Sequence, residues 1–209
     1  FNNTTASNNV AVGQDALYAN TTGASNVALG HSALTANTAG AQNTAVGYQA
    51  LFDNTTGVSN TAVGQVALAN NTTGGGNNAF GYHALETNTT GGSNNAFGES
   101  ALRYATTASN NSAFGNGAGT SVTTGANNTF VGALAGDSTD DGADNTAVGY
   151  LALSANCGSY NTATGARALS AATGTSNTAI GVDALPGVVT GSNNTALGGN
   201  AGISVTGGG

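Results

Sequence analysis

The side chains that catalyse reactions or bind metals are scarce in this sequence and lie far apart along it. His31 and His83 are its two histidines, and Cys157 is its single cysteine. A nucleophilic or metal site needs several such groups converging on one point. We expect both histidines to be exposed turn residues and Cys157 to have no nucleophilic role. The sequence therefore predicts no catalytic residue, no cofactor-binding residue and no enzyme activity.

One acidic cluster departs from this pattern. Carboxylates close together on a loop can hold Ca²⁺, which prefers about six to eight oxygen ligands. The spacing here differs from that of the EF-hand loop, which places ligands at alternate positions and ends in a glutamate. We interpret the cluster as a solvated turn, with a calcium site as the alternative. Its members are Asp137, Asp140, Asp141 and Asp144.

Charge is scarce in the chain, and this excludes several classes of partner. Of its 209 residues 5% are charged, whereas a typical soluble domain has about 25%. Lysine is absent, the arginines are Arg103 and Arg167, and the net charge is −7. Nucleic acids and anionic membranes are bound through clustered Lys and Arg, and no apolar run approaches the roughly 18 residues of a membrane span. We therefore expect neither nucleic-acid binding nor membrane insertion by this segment.

A short motif recurs along the whole chain. Asn-Thr-Ala-Val-Gly stands at 43–47 and 145–149, and near copies occur throughout with the same spacing. The glycine of the motif recurs every 17 residues, apart from two intervals of 16 residues. Self-similarity at a fixed period is the signature of a repeat architecture.

The period selects the type of repeat. A helical repeat needs about 30 residues or more, and the frequent glycines oppose a continuous helix. Seventeen residues span a contour of about 56 Å at ~3.3 Å per residue, which suits one solenoid coil with two or three short strands. The sequence thus predicts an all-β fold, a β-solenoid or β-roll of twelve 17-residue coils.

Alternation along each predicted strand assigns its residues to two faces. Thr44 and Val46 share one face, whereas Ala45 lies on the other. The valine position carries a large apolar residue in eleven of twelve coils, with Thr164 as the exception. We therefore interpret this column as a structural core ladder. Its apolar members are Val12, Leu29, Val46, Val63, Phe80, Phe97, Phe114, Val131, Val148, Ile180 and Leu197.

Two further columns are predicted to line the interior. Leucines from Leu17 to Leu185 recur at one position, which is glycine in three coils. Beside them runs an unbroken column of alanines that begins at Ala16. A column that never exceeds a methyl group implies close approach of backbones, either across a thin core or against another chain.

The core ladder contains phenylalanine in three successive coils, at Phe80, Phe97 and Phe114. We expect the rings to stack within the core, because aromatic side chains contribute a large share of core burial. A platform for a flavin or a nucleotide is the alternative interpretation.

An asparagine opens every copy of the motif. Stacked asparagines can hydrogen-bond along the rod, as amide ladders do in cross-β stacks, and asparagine tolerates the left-handed conformation of a tight corner. We interpret the Thr-Thr-Gly segments, such as 21–23 and 55–57, as turns whose glycine supplies a positive φ. The asparagines form a predicted corner ladder of Asn9, Asn26, Asn43, Asn60, Asn77, Asn94, Asn111, Asn128, Asn145, Asn161, Asn177 and Asn194.

The repeats resemble those of known surface fibres. The strings NTAVGYQAL at 43–51 and NTFVGALAG at 128–136 look like repeats of bacterial surface proteins and phage tail-fibre proteins. They are also similar to the head repeats of trimeric autotransporter adhesins. The resemblance implies a left-handed β-roll, three associated chains, and binding to a host matrix or cell surface.

Three functions are compatible with these patterns. The favoured one is a structural or adhesive segment of an extracellular fibre, namely a surface adhesin, an appendage filament or a phage tail fibre. Its expected partners are further copies of itself, as a homotrimer or an end-to-end filament, and a host-surface or glycan receptor. We expect residues 1–209 to be one repeat domain of a longer fibre, located outside the cell or on a virion.

Two alternatives remain open. An ice-binding solenoid would use the threonine columns at 21–22, 55–56, 72–73, 89–90 and 106–107. A tailspike-like solenoid would bind or cleave carbohydrate, and cleavage would need paired carboxylates that face one cleft.

Overall fold

Twelve short strands form one parallel sheet in the computed structural model, which describes residues 3–187 and 190–204. The strands follow the order of the chain across the sheet. Neighbours are in register, so that Ala45 of the third strand lies beside Ala62 of the fourth. The predicted all-β solenoid is confirmed. The strands are β1 (Val10–Val12), β2 (Val27–Leu29), β3 (Thr44–Val46), β4 (Thr61–Val63), β5 (Asn78–Phe80), β6 (Asn95–Phe97), β7 (Ser112–Phe114), β8 (Thr129–Val131), β9 (Thr146–Val148), β10 (Thr162–Thr164), β11 (Thr178–Ile180) and β12 (Thr195–Leu197).

In the described residues each coil contains one three-residue strand rather than the expected two or three, and turns make up the rest. Hydrogen bonds between coils nevertheless continue around the contour. The N–H of Leu51 donates to the C=O of Ala67 in the next coil at 3.0 Å. The N–H of Ser59 donates to the C=O of Ala41 in the previous coil at 3.0 Å. Because the main chain is paired in both directions, each coil is bound to both of its neighbours.

The interior is thin and contains one leucine column between alanine columns. Each leucine is almost completely buried, and so is the alanine before it, as at Ala50 and Leu51. The leucines have a left-handed backbone, with a φ of +52° at Leu51. That conformation costs about 1–2 kcal/mol, whereas burial of the side chain contributes about 1.5–3 kcal/mol, so burial offsets the strain. The column comprises Leu17, Leu34, Leu51, Leu68, Leu85, Leu102, Leu153, Leu169 and Leu185.

The predicted core ladder lies on the outer face of the sheet, so that prediction is wrong. In β3 the middle residue, Ala45, is fully buried, whereas Thr44 and Val46 are partly exposed. The prediction placed the larger side chain inside, but the leucine column already fills the interior and leaves room for a methyl group under each strand. The residues concerned are Val12, Leu29, Val46, Val63, Phe80, Phe97, Phe114, Val131, Val148, Ile180 and Leu197.

The motif asparagines form a hydrogen-bonded ladder along one corner, as the sequence indicates. Asn43 is fully buried. Its backbone N–H donates to Oδ1 of Asn26 at 2.9 Å, and its own Oδ1 accepts the backbone N–H of Asn60 at 2.9 Å. Its Nδ2 donates to the C=O of Gly57 at 2.8 Å, near the end of the same coil. The side chain of Asn43 therefore closes its own coil and binds it to the two adjacent coils. Asn145 departs from this pattern, because its buried Nδ2 has no hydrogen-bond partner.

Two conformational details of the corners differ from expectation. The left-handed residue is the one before each motif asparagine, for example Ser59, whose φ is +58°. Gly57 of a Thr-Thr-Gly segment has no positive φ, but a Cβ there would collide with the C=O of Gly74 in the next coil. Glycine is favoured at this position because adjacent coils approach closely, although one coil accommodates the methyl group of Ala108 there.

A second buried asparagine ladder was not expected from the sequence, where its members belong to segments interpreted as turns. Nδ2 of Asn71 donates to Oδ1 of Asn54 at 2.8 Å and to the C=O of Gly74 at 3.0 Å. The ladder stops at Asn88, because the next coil has Ala105, and Oδ1 of Asn88 has no hydrogen-bond partner. The members are Asn20, Asn37, Asn54, Asn71 and Asn88.

One strand departs from the column pattern in a compensating way. β8 has Phe130 where the other strands have alanine, and the leucine column has Gly119 in the preceding coil and Gly136 in the same coil. A Cβ on Gly119 would lie 2.8 Å from the Phe130 ring, and a Cβ on Gly136 would meet the same ring. Since Phe130 is fully buried, its ring fills the space that two leucines would occupy.

Replacement of Phe130 by alanine is expected to lower the free energy of unfolding by about 3–5 kcal/mol, because it leaves a cavity opposite two glycines. Chemical denaturation followed by circular dichroism measures this loss. Tyr18→Ala truncates an aromatic side chain outside the sheet that is 52% exposed and serves as the matched control, with an expected cost of about 1 kcal/mol or less. Adding Gly119→Leu and Gly136→Leu to Phe130→Ala restores the common pattern, and a failure to recover stability would contradict the compensation.

Asn71→Ala is expected to destabilise the chain by about 1–3 kcal/mol for each buried polar group that loses its partner. The group most affected is Oδ1 of Asn54, whose donor is removed. The neighbouring substitution Asn70→Ala removes the same amide from an exposed position and should change stability by no more than about 0.5 kcal/mol. Equal effects of the two substitutions in urea denaturation would refute the buried ladder.

Candidate functional site

The acidic cluster is spread over turns and does not gather around a common point. Thr123 of the preceding coil donates to Asp140, and Nδ2 of Asn127 donates to Oδ1 of Asp144 at 3.2 Å. Within residues 3–187 and 190–204 no three His, Cys, Asp or Glu side chains are grouped so that they could hold a metal ion. The geometry therefore gives no support to the calcium alternative for Asp137, Asp140, Asp141 and Asp144.

Asp137 has a different environment from the rest of the cluster. Its side chain is half-buried, and its Oδ1 atom is buried without a hydrogen-bond partner. Burial raises the pKa of the Asp137 carboxyl above its ordinary value, and the backbone N–H groups of Asp137 and Ser138 oppose this shift in part. The carboxylate therefore costs stability when it is ionised.

Cys157 is buried and belongs to the interior. Its Sγ lies 3.5 Å from Oγ1 of Thr139 in the preceding coil. Burial raises the pKa of the Cys157 thiol, and the hydrogen bond from Thr139 offsets only part of that shift. A buried thiol with a raised pKa is a poor nucleophile, because the thiolate is the reactive form.

The two histidines lie in different settings. His31 is exposed, and its ring stacks on Tyr48 with centroids 5.4 Å apart. His83 is largely covered, with 16% of its side chain exposed, so the expectation of exposure is wrong for this residue. Its Nδ1 lies 2.7 Å from Oε2 of Glu86, which also accepts a hydrogen bond from Nε of Arg103 at 2.7 Å. Glu86 is thus bonded to one side chain of its own coil and to one side chain of the next coil.

The outer face of the sheet is the most extended uniform surface of the described chain. Each strand directs its first and third residues outward, and none of these residues is charged in any of the twelve strands. The third residue is exposed by 54% at Val12, 46% at Leu29 and 76% at Leu197. We call the apolar third residues the apolar stripe. It comprises Val12, Leu29, Val46, Val63, Phe80, Phe97, Phe114, Val131, Val148, Ile180 and Leu197, with Thr164 as its one polar interruption.

Three phenylalanine rings form the centre of the apolar stripe. Phe80 and Phe97 stack with centroids 4.7 Å apart, and Phe97 and Phe114 stack at 4.9 Å, with 7° between the planes of each pair. The predicted stacking is therefore present, but on the surface rather than in the core. Because each ring covers the face of its neighbour, the rings present edges to solvent, which does not suit a flavin or nucleotide platform.

The threonine columns proposed for ice binding are unequal. In each Thr-Thr-Gly segment the first hydroxyl is occupied, as when Oγ1 of Thr55 donates to the C=O of Thr72 at 3.0 Å. The second threonine, such as Thr56, is exposed. A different set of threonines lies on the outer face of the sheet, where they are the first residues of β8 to β12. The first and last of them are exposed, and the other three are partly buried. The sheet threonines are Thr129, Thr146, Thr162, Thr178 and Thr195.

Other features of a binding site are missing from the described part of the chain. Residues 3–187 and 190–204 form no pocket. They also contain no helix of the length and hydropathy that would cross a membrane.

Comparison of the chain with protein-family models, with curated proteins and with solved structures found no match. The fold itself defines the class: the chain is a parallel β-solenoid repeat protein with a continuous uncharged sheet face.

The stability cost of the buried Asp137 carboxylate is expected to depend on pH. Because the folded-state pKa is raised, the penalty is present above that pKa and disappears as the pH falls through it towards the unfolded value of about 3.9. Asp137→Asn should therefore stabilise the chain at neutral pH and lose this advantage in acid, as measured by urea denaturation across the pH range. Asp141→Asn removes the same charge from an exposed side chain and is the control. A benefit of Asp137→Asn that stays constant down to pH ~3 would exclude this origin.

Proposed function

We propose that the chain is a structural and adhesive segment of an extracellular fibre, in which the solenoid presents a stiff rod for attachment. The observation that carries the proposal is the continuity of bonding between coils. Strand pairing, turn hydrogen bonds and the asparagine ladder join each coil to its neighbours at several points around the contour. A rod joined in this way resists bending in any direction.

The distribution of residues supports the same role. Inward positions are filled by leucine, alanine and asparagine for packing and coil closure, so the variable side chains are those on the outside. The described part of the chain offers no pocket for a small substrate. Recognition by such a surface would be spread along columns of side chains, as in other repeat proteins with extended binding surfaces.

The scarcity of basic residues suits an exposed location. Arg103 pairs with Glu86, with 2.7 Å between Nε and Oε2. Arg167 pairs with Asp183, with 2.6 Å between Nη2 and Oδ2. A trypsin-like protease cleaves after Lys or Arg, and here both arginines lie on coils whose main chain is hydrogen-bonded to the adjacent coils. The segment is thus expected to survive proteases outside the cell.

The fibre proposal is tested by shape and by attachment. Twelve strands with a spacing of about 4.8 Å predict a rod about 53 Å long, which small-angle X-ray scattering measures. A surface coated with the purified chain is expected to retain particles that carry extracellular-matrix protein or cell-surface glycan above the level of an albumin-coated surface. A rod with no retention on any of these particles would remove the adhesive part of the proposal, and a flexible coil in scattering would remove all of it.

Ice binding is a second candidate, on a different face from the one that the sequence suggests. The sheet presents evenly spaced threonines in β8 to β12 next to the apolar stripe, without charge. Regular hydroxyl and methyl groups on a flat surface favour contact with an ordered lattice of water. The bulky Phe80, Phe97 and Phe114 interrupt the plane and count against it. Thermal hysteresis of the purified chain, together with loss of it in Thr146→Tyr, would establish this candidate in place of the fibre.

A further inference from the structure

No other segment of the described chain covers the apolar stripe. Eleven of its twelve positions are large and apolar, and Val12, Leu29, Phe114, Ile180 and Leu197 are each more than 40% exposed. Soluble monomers rarely leave a long contiguous apolar surface open to water, and such surfaces mark interaction sites. The stripe is therefore a candidate interaction surface.

We propose that the occupant is a second copy of the same chain, which packs its own apolar stripe against this one. The proposal rests on the role as a fibre segment and goes beyond it by assigning the surface through which fibre chains associate. Its first support is periodicity. Side chains of the stripe recur at the strand spacing of about 4.8 Å, and a partner keeps contact along the rod only if its own side chains recur at the same interval. A second copy has that interval because it has the same fold.

The second support is the absence of charge. Neither the stripe nor the adjacent first residues of the strands contain Asp, Glu, Lys or Arg. The ion pairs of Arg103 with Glu86 and of Arg167 with Asp183 lie outside these positions. A charged partner would find no complement on this face, whereas a second uncharged face would bury no unpaired charge.

The third support is size. Eleven steps of about 4.8 Å and a width of about 10 Å give an area on the order of 500 Å² on each copy. Two stripes together would bury on the order of 1,000 Å², which is the lower bound for a specific interface. The contact is therefore sufficient when it runs along the whole stripe and insufficient when it covers only a few coils.

The aromatic block is the expected energetic centre of this interface. Phe80, Phe97 and Phe114 belong to β5, β6 and β7, in the middle of the twelve strands. Their stacked rings present edges outward, and edges pack against aliphatic or aromatic side chains of a facing sheet. Central aromatic residues are where binding energy concentrates in interfaces.

The experiment measures molar mass by sedimentation equilibrium over a range of concentrations, for the full chain and two variants of the stripe. Phe80→Thr, Phe97→Thr and Phe114→Thr are combined in the first variant, since Thr164 shows that the fold accepts threonine at this position. The second variant is Val63→Lys, which places a charge in the stripe. The wild-type chain is expected to associate, and both variants should dissociate at concentrations at least about a hundredfold higher than the wild type does, because central aromatic contacts and an uncharged interior are both lost.

Each variant has a matched control. Tyr48→Thr, Tyr82→Thr and Tyr150→Thr together remove three exposed aromatic rings from a different column, and Gln65→Lys adds the same charge two residues away on an exposed position. The controls should associate like the wild type, and circular dichroism checks that every variant is folded.

The outcomes separate this inference from the proposed function. A wild-type chain that associates while both stripe variants associate equally well overturns the inference and leaves the fibre role intact. A wild-type chain that stays monomeric at every concentration also overturns the inference, whereas the scattering and attachment measurements decide the fibre role independently. A monomer with thermal hysteresis that is lost in Val63→Lys would assign the face to ice instead.

Discussion

In most coils of the described chain, the two ends are held together by the side chain of one asparagine. Its Nδ2 reaches the C=O of a residue near the end of its coil, and its Oδ1 accepts the N–H of the asparagine in the next coil, as at Asn43. A buried amide of this kind is favourable only when all its groups are paired. The pairing fixes the approach of neighbouring coils, and it favours a glycine where the accepting carbonyl passes close to the adjacent coil. Strand register then follows from the ladder.

The coils with 16 residues show how strongly this constraint acts. Asn161 and Asn177 each follow an interval one residue short, yet their backbone N–H groups still bond to the asparagine before them, at 2.8 and 2.9 Å. In the first of these coils the missing residue is absorbed in the turn before the corner, where Cys157 rather than Asn156 is buried. The backbone bonds of the corner are kept and the adjoining turn adapts, but Nδ2 of Asn145, in the first of these coils, is buried without a hydrogen-bond partner.

Much of the fold follows from the sequence, because period and residue type at each column are local properties. The 17-residue interval predicts the solenoid, and the motif asparagines predict the ladder. The face of the strand does not follow, since alternation alone separates Ala45 from Val46 without saying which one points inward. Because Val46 has the larger side chain, the pattern predicts that it lies inside. The space under each strand is instead limited by the leucine column on the opposite side of the interior, which only the three-dimensional arrangement reveals. The replacement of two leucines by Phe130 could not be predicted for the same reason. Phe130 belongs to a different column of the sequence from Gly119 and Gly136, and the three residues meet only in the core. The candidate face was therefore present in the sequence as a column of large apolar residues, but it was assigned to the inside.

The end of the inner asparagine ladder at Asn88 divides the rod into two parts with different interiors. The coils up to Asn88 bury an amide at a position where later coils bury Ala105, Val122, Thr139 and Ala172, of which only Thr139 is polar. Exposure of apolar surface raises the heat capacity of the unfolded chain, and exposure of polar surface lowers it. The two parts therefore differ in the heat-capacity change of unfolding, and their stabilities vary differently with temperature. In a repeat protein, whose stability is a sum of coil and interface terms, the part with the larger heat-capacity change loses stability more steeply on both cooling and heating away from its maximum.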